Sequence, residues 1–386
     1  MTKMIPLSVP NLKGKELDYI TKAVETEWVS TGGEYINEFE KNMAKYLNVD
    51  TVVACQSGTA GLHLALKLSG VEYNNEVIVP TLTFIAAVNP VKYLGAEPIF
   101  IDCDNTLNMD LEKLEEFCSN ECYLFKNRLI NKKTQRTITA IVIVHVFGNM
   151  ANMEKLVEIA SRYNLKIVED ATEALGSYCT SGKYEGKFAG TIGDFGVYSF
   201  NGNKIITTGG GGMLVAKDKK LVEKAKYLST QAKDDELYYL HEEIGYNYRM
   251  TNLQAALGVA QLEQLEDFIK IKSENYKFYD EQIVNIKGLS LLNFNKNTRP
   301  NYWFYSLIID KDKYGLDRDG LLMKLINKKI QTRPIWGLVH NQKPYVNNQT
   351  YKIEKANNYI NKILNIPCST NLSFEDAQTV IDALKI

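Results

Sequence analysis

Cysteine is scarce in this chain, histidine scarcer still, and neither sign of charge dominates. The six cysteines among 386 residues, Cys55, Cys103, Cys118, Cys122, Cys179 and Cys368, are too thinly spread for a disulfide framework. Only Cys118 and Cys122 are close, without further sulfur or histidine nearby, so ordinary reduced thiols are expected. The four histidines, His63, His145, His241 and His340, are too dispersed for a metal motif, and no metal is expected. A balance of 45 basic against 46 acidic residues, formal net charge −1, argues against the basic face that a broad nucleic-acid footprint needs. It leaves room for an anionic small molecule, which a few local donors can hold. No run approaches the roughly 20 apolar residues of a membrane span. The first nineteen residues also lack the apolar core of a signal peptide, so the cytoplasm is the expected location, with neither membrane nor nucleic acid as partner. There is no GxGxxG, hence no direct support for a dinucleotide fold, and no Ser-His-Asp signature.

What is present is an alternation of short β-rich runs with helical ones. Pro6 and Pro10 punctuate an extended arm, followed by a helix within GKELDYITKAVETEW and a turn at 30–33. EYINEFEKNMAKYL repeats apolar residues at helical spacing. From Thr51, TVVAC reads as a strand, QSGT as a tight turn and AGLHLALKLSG as a helix. EVIV, EPIFID and TAIVIVHVF follow as strands apolar enough to lie centrally in a sheet covered on both faces. A helix over 152–163 leads into LKIVED, and DFGVYSF and GGMLVA are two further strands. The pattern predicts an α/β fold, a mostly parallel sheet with crossover helices and sites at the carboxyl ends of its strands. The longest helical signal starts at Thr251, a candidate N-cap, with Leu253, Leu257, Leu262 and Leu265 as its apolar stripe. Beyond it come a strand over NYWFYSLIID, a helix near GLLMKLINKKI and two more helical stretches. Length favours two domains, expected as an arm plus large domain over 1–265 and a small α+β domain over 266–386.

The chemistry concentrates in SFNGNKIITTGGGG, residues 199–212. Lys204 stands there between an apolar strand and a run of glycines, which permit close approach of chain to ligand. A lysine held among aromatic and apolar side chains has its pKa lowered, which favours imine chemistry; a solvated surface lysine is the plain alternative. Upstream, the apolar run LKIV ends in Glu169 and Asp170. A carboxylate leaving a core strand needs a cation or a set of donors. A protonated pyridine nitrogen would satisfy Asp170; the alternative is an N-cap for the next turn. Gly58 and Thr59 open a helix whose exposed amides and dipole form an anion site, though a bare helix start reads the same way. Ser199 could add a hydroxyl to that cup. An imine-forming amine, an anion for a pyridine nitrogen and a phosphate cup are what pyridoxal phosphate requires. His63, beside leucines in a helix, reads as structural, whereas His145 at the end of a buried strand is a site candidate.

Together, SGTAGLHLAL, PTLTFIA, VHVFGN, EDATEALGS, GDFGVYSFNGNK, TTGGGG and YNYRMTNLQAA resemble the DegT/DnrJ/EryC1/StrS sugar-nucleotide aminotransferases. These are fold type I pyridoxal phosphate enzymes, with a large mostly parallel sheet domain and a small C-terminal α+β domain, and the resemblance covers essentially the whole chain. It implies a role for each matching residue. Lys204 bonds the cofactor and acts as acid and base, and Asp170 pairs with the pyridine nitrogen. Gly58, Thr59 and Ser199 hold the phosphate, Phe84 packs over the ring and Glu173 approaches the ring hydroxyl. Asn247 reaches the phosphate of a neighbouring subunit, which implies a homodimer with shared sites. Members that remove a hydroxyl carry histidine in place of the lysine; this chain keeps lysine. Gly210 departs from the glutamate of many members, which implies a local effect only. WVSTGG, TLTFIAAVNPVKYLGAEPIFIDCD and SFNGNKIITTGGGG are most similar to the C4 aminotransferases of legionaminic-acid-type pathways. That finer resemblance implies amino transfer from L-glutamate to C4 of a UDP- or GDP-linked 4-keto-6-deoxy-N-acetylhexosamine, with Trp28, His145 and His340 as candidate substrate contacts. The alternatives are another keto-sugar nucleotide, perosamine-like or aminated at C3, and a non-catalytic homologue that binds the cofactor.

Overall fold

The computed structural model of the protein describes residues 4–235 and 237–385. The main path of its ten-stranded sheet runs Val53–Cys55, Gly212–Ala216, Phe195–Ser199, Lys166–Asp170, Thr137–Val144, Glu76–Pro80, Glu97–Ile101, Thr350–Tyr351. Along this path Gly212–Ala216 alone runs against the other strands. A hairpin, Cys122–Phe125 with Arg128–Asn131, pairs on the start of Thr137–Val144. The apolar runs lie centrally because both faces of the sheet are covered. Alternating side chains separate into two cores: Val77, Val79, Val142 and Val144 pack with the helix Gly58–Leu68. Ile78, Ile141 and Ile143 pack with Phe39 and Met43 of the helix Glu34–Leu47.

Two expected elements differ in the structure. The long helix from Thr251 is two helices, Asn252–Leu262 and Leu265–Ile283, parted at Glu263 and Gln264. Thr251 does cap the first, in a capping box with Gln254. Of the leucine stripe only Leu265 is fully buried; Leu253, Leu257 and Leu262 are half-buried, while Ala255, Ala256, Val259 and Ala260 are buried. Small residues win here because the backbones approach closely; a Cβ on Gly258 would lie 2.7 Å from the Phe39 ring. NYWFYSLIID is a strand only over Tyr305–Ile309. Ahead of it Tyr302 takes a left-handed φ of 54°, and Asn301 donates to the Glu173 and Leu175 carbonyls at 2.9 Å each, so the chain bends toward the large sheet.

The second sheet is antiparallel, in the order Leu289–Leu291, Tyr305–Ile309, Ile363–Ile366, Arg333–Pro334. It is tied to the larger one repeatedly. Ile5 of the arm bridges to Ile330, and Thr350–Tyr351 rejoins the large sheet beside Glu97–Ile101. Asp102, fully buried, accepts the backbone N–H groups of Glu354, Lys355 and Ala356 at 2.9 Å each and the Lys113 ammonium at 2.8 Å. Among the described residues no helix is long and apolar enough to cross a membrane, and all six cysteines are free thiols.

Candidate active site

A cavity of about 600 Å³ opens at the carboxyl ends of the strands, and its wall brings together Gly58, Thr59, Phe84, Asp170, Glu173, Ser199 and Lys204. Ser57 begins it: its backbone is extended and its hydroxyl accepts the Ala60 N–H at 3.1 Å, so the helix starts at Gly58 with free amides toward the cavity. Gly58 leaves little room for a side chain, since a Cβ would lie 3.0 Å from both Ser199 Cβ and Thr172 Cγ2, side chains that would have to give way. Amides, a helix N-terminus and flanking hydroxyls thereby form a cup for an anion. Phe84, with 54% of its surface exposed, leaves an apolar ring free at the mouth.

Lys204 projects from the turn after Phe195–Ser199, its own N–H donating to the Asn201 carbonyl at 3.0 Å. Its Nζ lies 4.2 Å from the centre of the Trp303 ring and 3.9 Å from Glu173 Oε1. Burial lowers its pKa, against the opposing pull of Glu173 and Asp170. The amine therefore loses a proton more readily than an ordinary lysine. Glu173 accepts the Phe147 N–H at 2.8 Å, and burial pushes its carboxyl up to about 7 although Lys204 and that hydrogen bond oppose the rise.

Glu169 and Asp170 occupy successive positions of one strand and so face opposite sides of the sheet. Glu169 is saturated: it accepts His145 Nε2 at 2.8 Å, the Gly190 and Ile192 N–H groups at 2.8 and 2.7 Å, and the Gly193 N–H. Burial alone would raise its pKa, but these donors outweigh it and hold the carboxyl below its ordinary range. Asp170 accepts the Thr172 N–H at 3.1 Å, and burial pushes its pKa up despite Thr172 and Lys204. A buried carboxylate short of donors, an easily deprotonated lysine and an anion cup with a ring at its mouth fit pyridoxal phosphate. Asp170 would take the pyridine nitrogen, the cup with Ser199 the phosphate, and Lys204 the carbonyl carbon.

The substrate contacts expected at His145, His340 and Trp28 are not at this wall. His145 is fully buried with both nitrogens committed, Nε2 to Glu169 and Nδ1 accepting the Ala151 N–H at 3.2 Å, so it positions Glu169 and does not line the cavity. The alternation that aims Asp170 at the cavity leaves Glu169 and its histidine behind the sheet. His340 Nδ1 lies 2.5 Å from Thr81 Oγ1 and fastens the segment that carries Phe84. Trp28 is exposed outside the cavity, its carbonyl accepting from Asn252. Asn247 is exposed as well, on the segment whose Tyr248 carbonyl accepts the Gln56 N–H, and does not line the cavity of its own chain. Sequence reasoning missed Thr172, Trp303, Phe304, Gln331 and Arg333, and it read Ser57 only as part of a turn. A serine before the apolar helix was a legible N-cap; the others carry no local signal.

A profile of the DegT/DnrJ/EryC1/StrS aminotransferase family matches residues 10–385. The chain belongs to that family. This aminotransferase is similar to the GDP-perosamine synthase of Escherichia coli O157:H7, 38% identical over 383 residues that make up 99% of this chain and 98% of that protein. It is 30% identical over 390 residues to the UDP-4-amino-4,6-dideoxy-N-acetyl-beta-L-altrosamine transaminase of Campylobacter jejuni subsp. jejuni serotype O:23/36, covering 99% of this chain and 96% of that one. Among solved structures it is similar to the aminotransferase TlmJ from Streptoalloteichus hindustanus, at TM-score 0.88 and 26% identity, with 99% of this chain and 98% of that chain covered. The protein is thus a pyridoxal phosphate-dependent aminotransferase of the sugar-nucleotide family, with the fold expected from its sequence.

Proposed function

We propose that this aminotransferase moves an amino group from L-glutamate to C4 of a nucleotide-linked 4-keto-6-deoxyhexose. The observation that carries this reading is a single cavity in which Lys204 faces Asp170 and Glu173 beside the anion cup. Pyridoxal phosphate, when bound, supplies an electron sink for the carbon that loses its proton. Lys204 takes the proton from the α-carbon of glutamate in the first half-reaction and delivers one to sugar C4 in the second. Asp170 would hold the positive charge of the pyridine nitrogen, and Gly58, Thr59 and Ser199 would hold the phosphate. Trp303 and Phe304, stacked 4.1 Å apart, exclude water around the lysine.

Position C4 draws support from the 4-amino-4,6-dideoxy sugar in the name of the Campylobacter relative. The sequence favours an N-acetylated sugar; the higher identity to a GDP-perosamine synthase favours a second reading, a GDP-linked perosamine-type substrate. The reading further includes a cytoplasmic homodimer in which Asn247 reaches the partner's phosphate site, and a division into domains 1–265 and 266–386. The test is a panel of GDP- and UDP-linked 4-keto sugars, with and without the N-acetyl group, supplied with glutamate. Glutamate should bleach the cofactor's yellow absorbance, and one sugar should yield an amine whose configuration NMR reads. No bleaching and no amine from any sugar would refute the function.

A further inference from the structure

His63 does not line the cavity, although it stands one turn along the helix Gly58–Leu68 from Thr59, which does. The residue is 6% exposed, and three tyrosine rings meet it edge to face: Tyr93, Tyr246 and Tyr248, with centres 5.7, 4.9 and 5.8 Å away. Its Nδ1 meets the Tyr248 hydroxyl at 3.1 Å. Burial, helped by Lys67, lowers its pKa to about 4, so the ring is neutral near pH 7.

The segment that His63 grips is pinned from both sides. The Gln56 N–H donates to the Tyr248 carbonyl at 2.7 Å, while the Tyr246 and Tyr248 N–H groups donate to the Leu228 and Ser229 carbonyls at 2.7 and 2.9 Å. Arg249, buried, closes it with a 2.7 Å hydrogen bond to Glu40. Tyr246 and Tyr248 lie two residues apart and stack, with ring centres 4.9 Å and planes 14° apart. They share one side of the extended chain, so Asn247 between them is turned to the other. Asn247 is exposed, and its side-chain amide meets no partner among the described residues. The clasp fixes the direction of Asn247 and leaves its amide unspent.

Resting on the homodimer reading above, the group that Asn247 addresses is the cofactor phosphate of a second copy. We propose that His63 is the positioning residue for that contact: through the Tyr246 and Tyr248 rings it sets the direction in which Asn247 reaches. Direction matters here because a hydrogen bond weakens steeply as it bends. The helix Gly58–Leu68 then serves two phosphates, its own chain's at the amino end and the partner's through His63 one turn further on.

The test uses dimers of two differently tagged chains, one carrying Lys204→Ala, so that borohydride fixes pyridoxal phosphate to Lys204 of the other chain alone. Label retained against cofactor concentration gives the affinity of that one site without any turnover. Asn247→Ala in the Lys204→Ala chain should raise the half-saturating concentration about tenfold. His63→Phe in that same chain keeps a ring in the cluster but loses the Nδ1 contact, and should raise it about threefold. Tyr248→Phe, which removes only the hydroxyl, should match it. Either substitution moved to the chain that keeps Lys204 should leave the site at its parental value. A residue that merely holds its own helix in shape would act from that second placement, on the cup at 57–59. An effect from the Lys204 chain alone, equal effects from both, or none from either while Asn247→Ala acts across the interface overturns the role of His63 and leaves the shared site standing. No effect of Asn247→Ala across the interface, or chains that do not pair, overturns the shared site and the proposal with it.

Discussion

Lys272 is buried and Lys204 largely so, both stand beside an aromatic ring, and desolvation lowers the pKa of each. Lys272, 3% exposed on the helix Leu265–Ile283, donates to the Cys368 carbonyl and lies 5.5 Å from the Tyr305 ring centre. Lys204 has 13% of its side chain exposed, opens into the cavity and has Glu173 within 3.9 Å. A depressed ammonium is therefore no mark of a catalytic lysine. Access to a cavity and the carboxylates across it separate the two, and the same contrast divides Asp170 from the saturated Glu169.

The sharpest way to break the comparison is to remove each lysine. Lys204→Ala should lower turnover by at least about 10³-fold while the fold persists, since acid–base transfer and attachment of the cofactor both end. Near-parental turnover in a sugar-amine assay would strip Lys204 of its role. A smaller effect is expected from Glu173→Gln in the cofactor-free protein. The folded carboxyl titrates about 7 against an ordinary 4.5, so the native state holds a proton that the unfolded chain releases between those values. Stability should then fall as pH rises through that window, by an amount on the order of 3 kcal/mol, and stay level above it. Glu173→Gln should abolish this slope in melting curves taken across pH 4 to 8; a parental slope in the variant would assign the proton elsewhere. Lys272→Met should do least. Turnover should hold within about twofold and stability should change by roughly 1 kcal/mol, because an apolar chain of similar length replaces a buried charge. The replacement should gain most at low pH, where Lys272 is charged, and the gain should shrink as pH rises through its lowered pKa. Loss of turnover without loss of folding would make Lys272 a second working lysine.

The large sheet was legible because its strands are continuous apolar runs whose spacing leaves room only for crossovers. Gly58, Thr59, Asp170, Ser199 and Lys204 were legible for a related reason: each sits where a strand or a helix ends, and such ends are written in local sequence. Trp303, Phe304, Gln331 and Arg333 reach the same cavity from in and beside the second sheet, from segments distant along the chain, and nothing in their immediate neighbours announces it. The bend at 301–304 was hidden because its aromatic run matches a strand, and hydrogen bonds from Asn301 to the Glu173 and Leu175 carbonyls and from Trp303 Nε1 to the Asn203 carbonyl turn it aside. His145 misled because a strand end was taken for a cavity wall, when pleating aims alternate residues to opposite faces.

The attachments at Ile330, Thr350–Tyr351 and Asp102 turn the connection between the two sheets into closed rings of chain. Swinging one sheet from the other would require breaking a parallel strand pair and uncapping a buried aspartate in the same motion. The wall of the cavity is thus braced at several points along the chain rather than hung on a single connection.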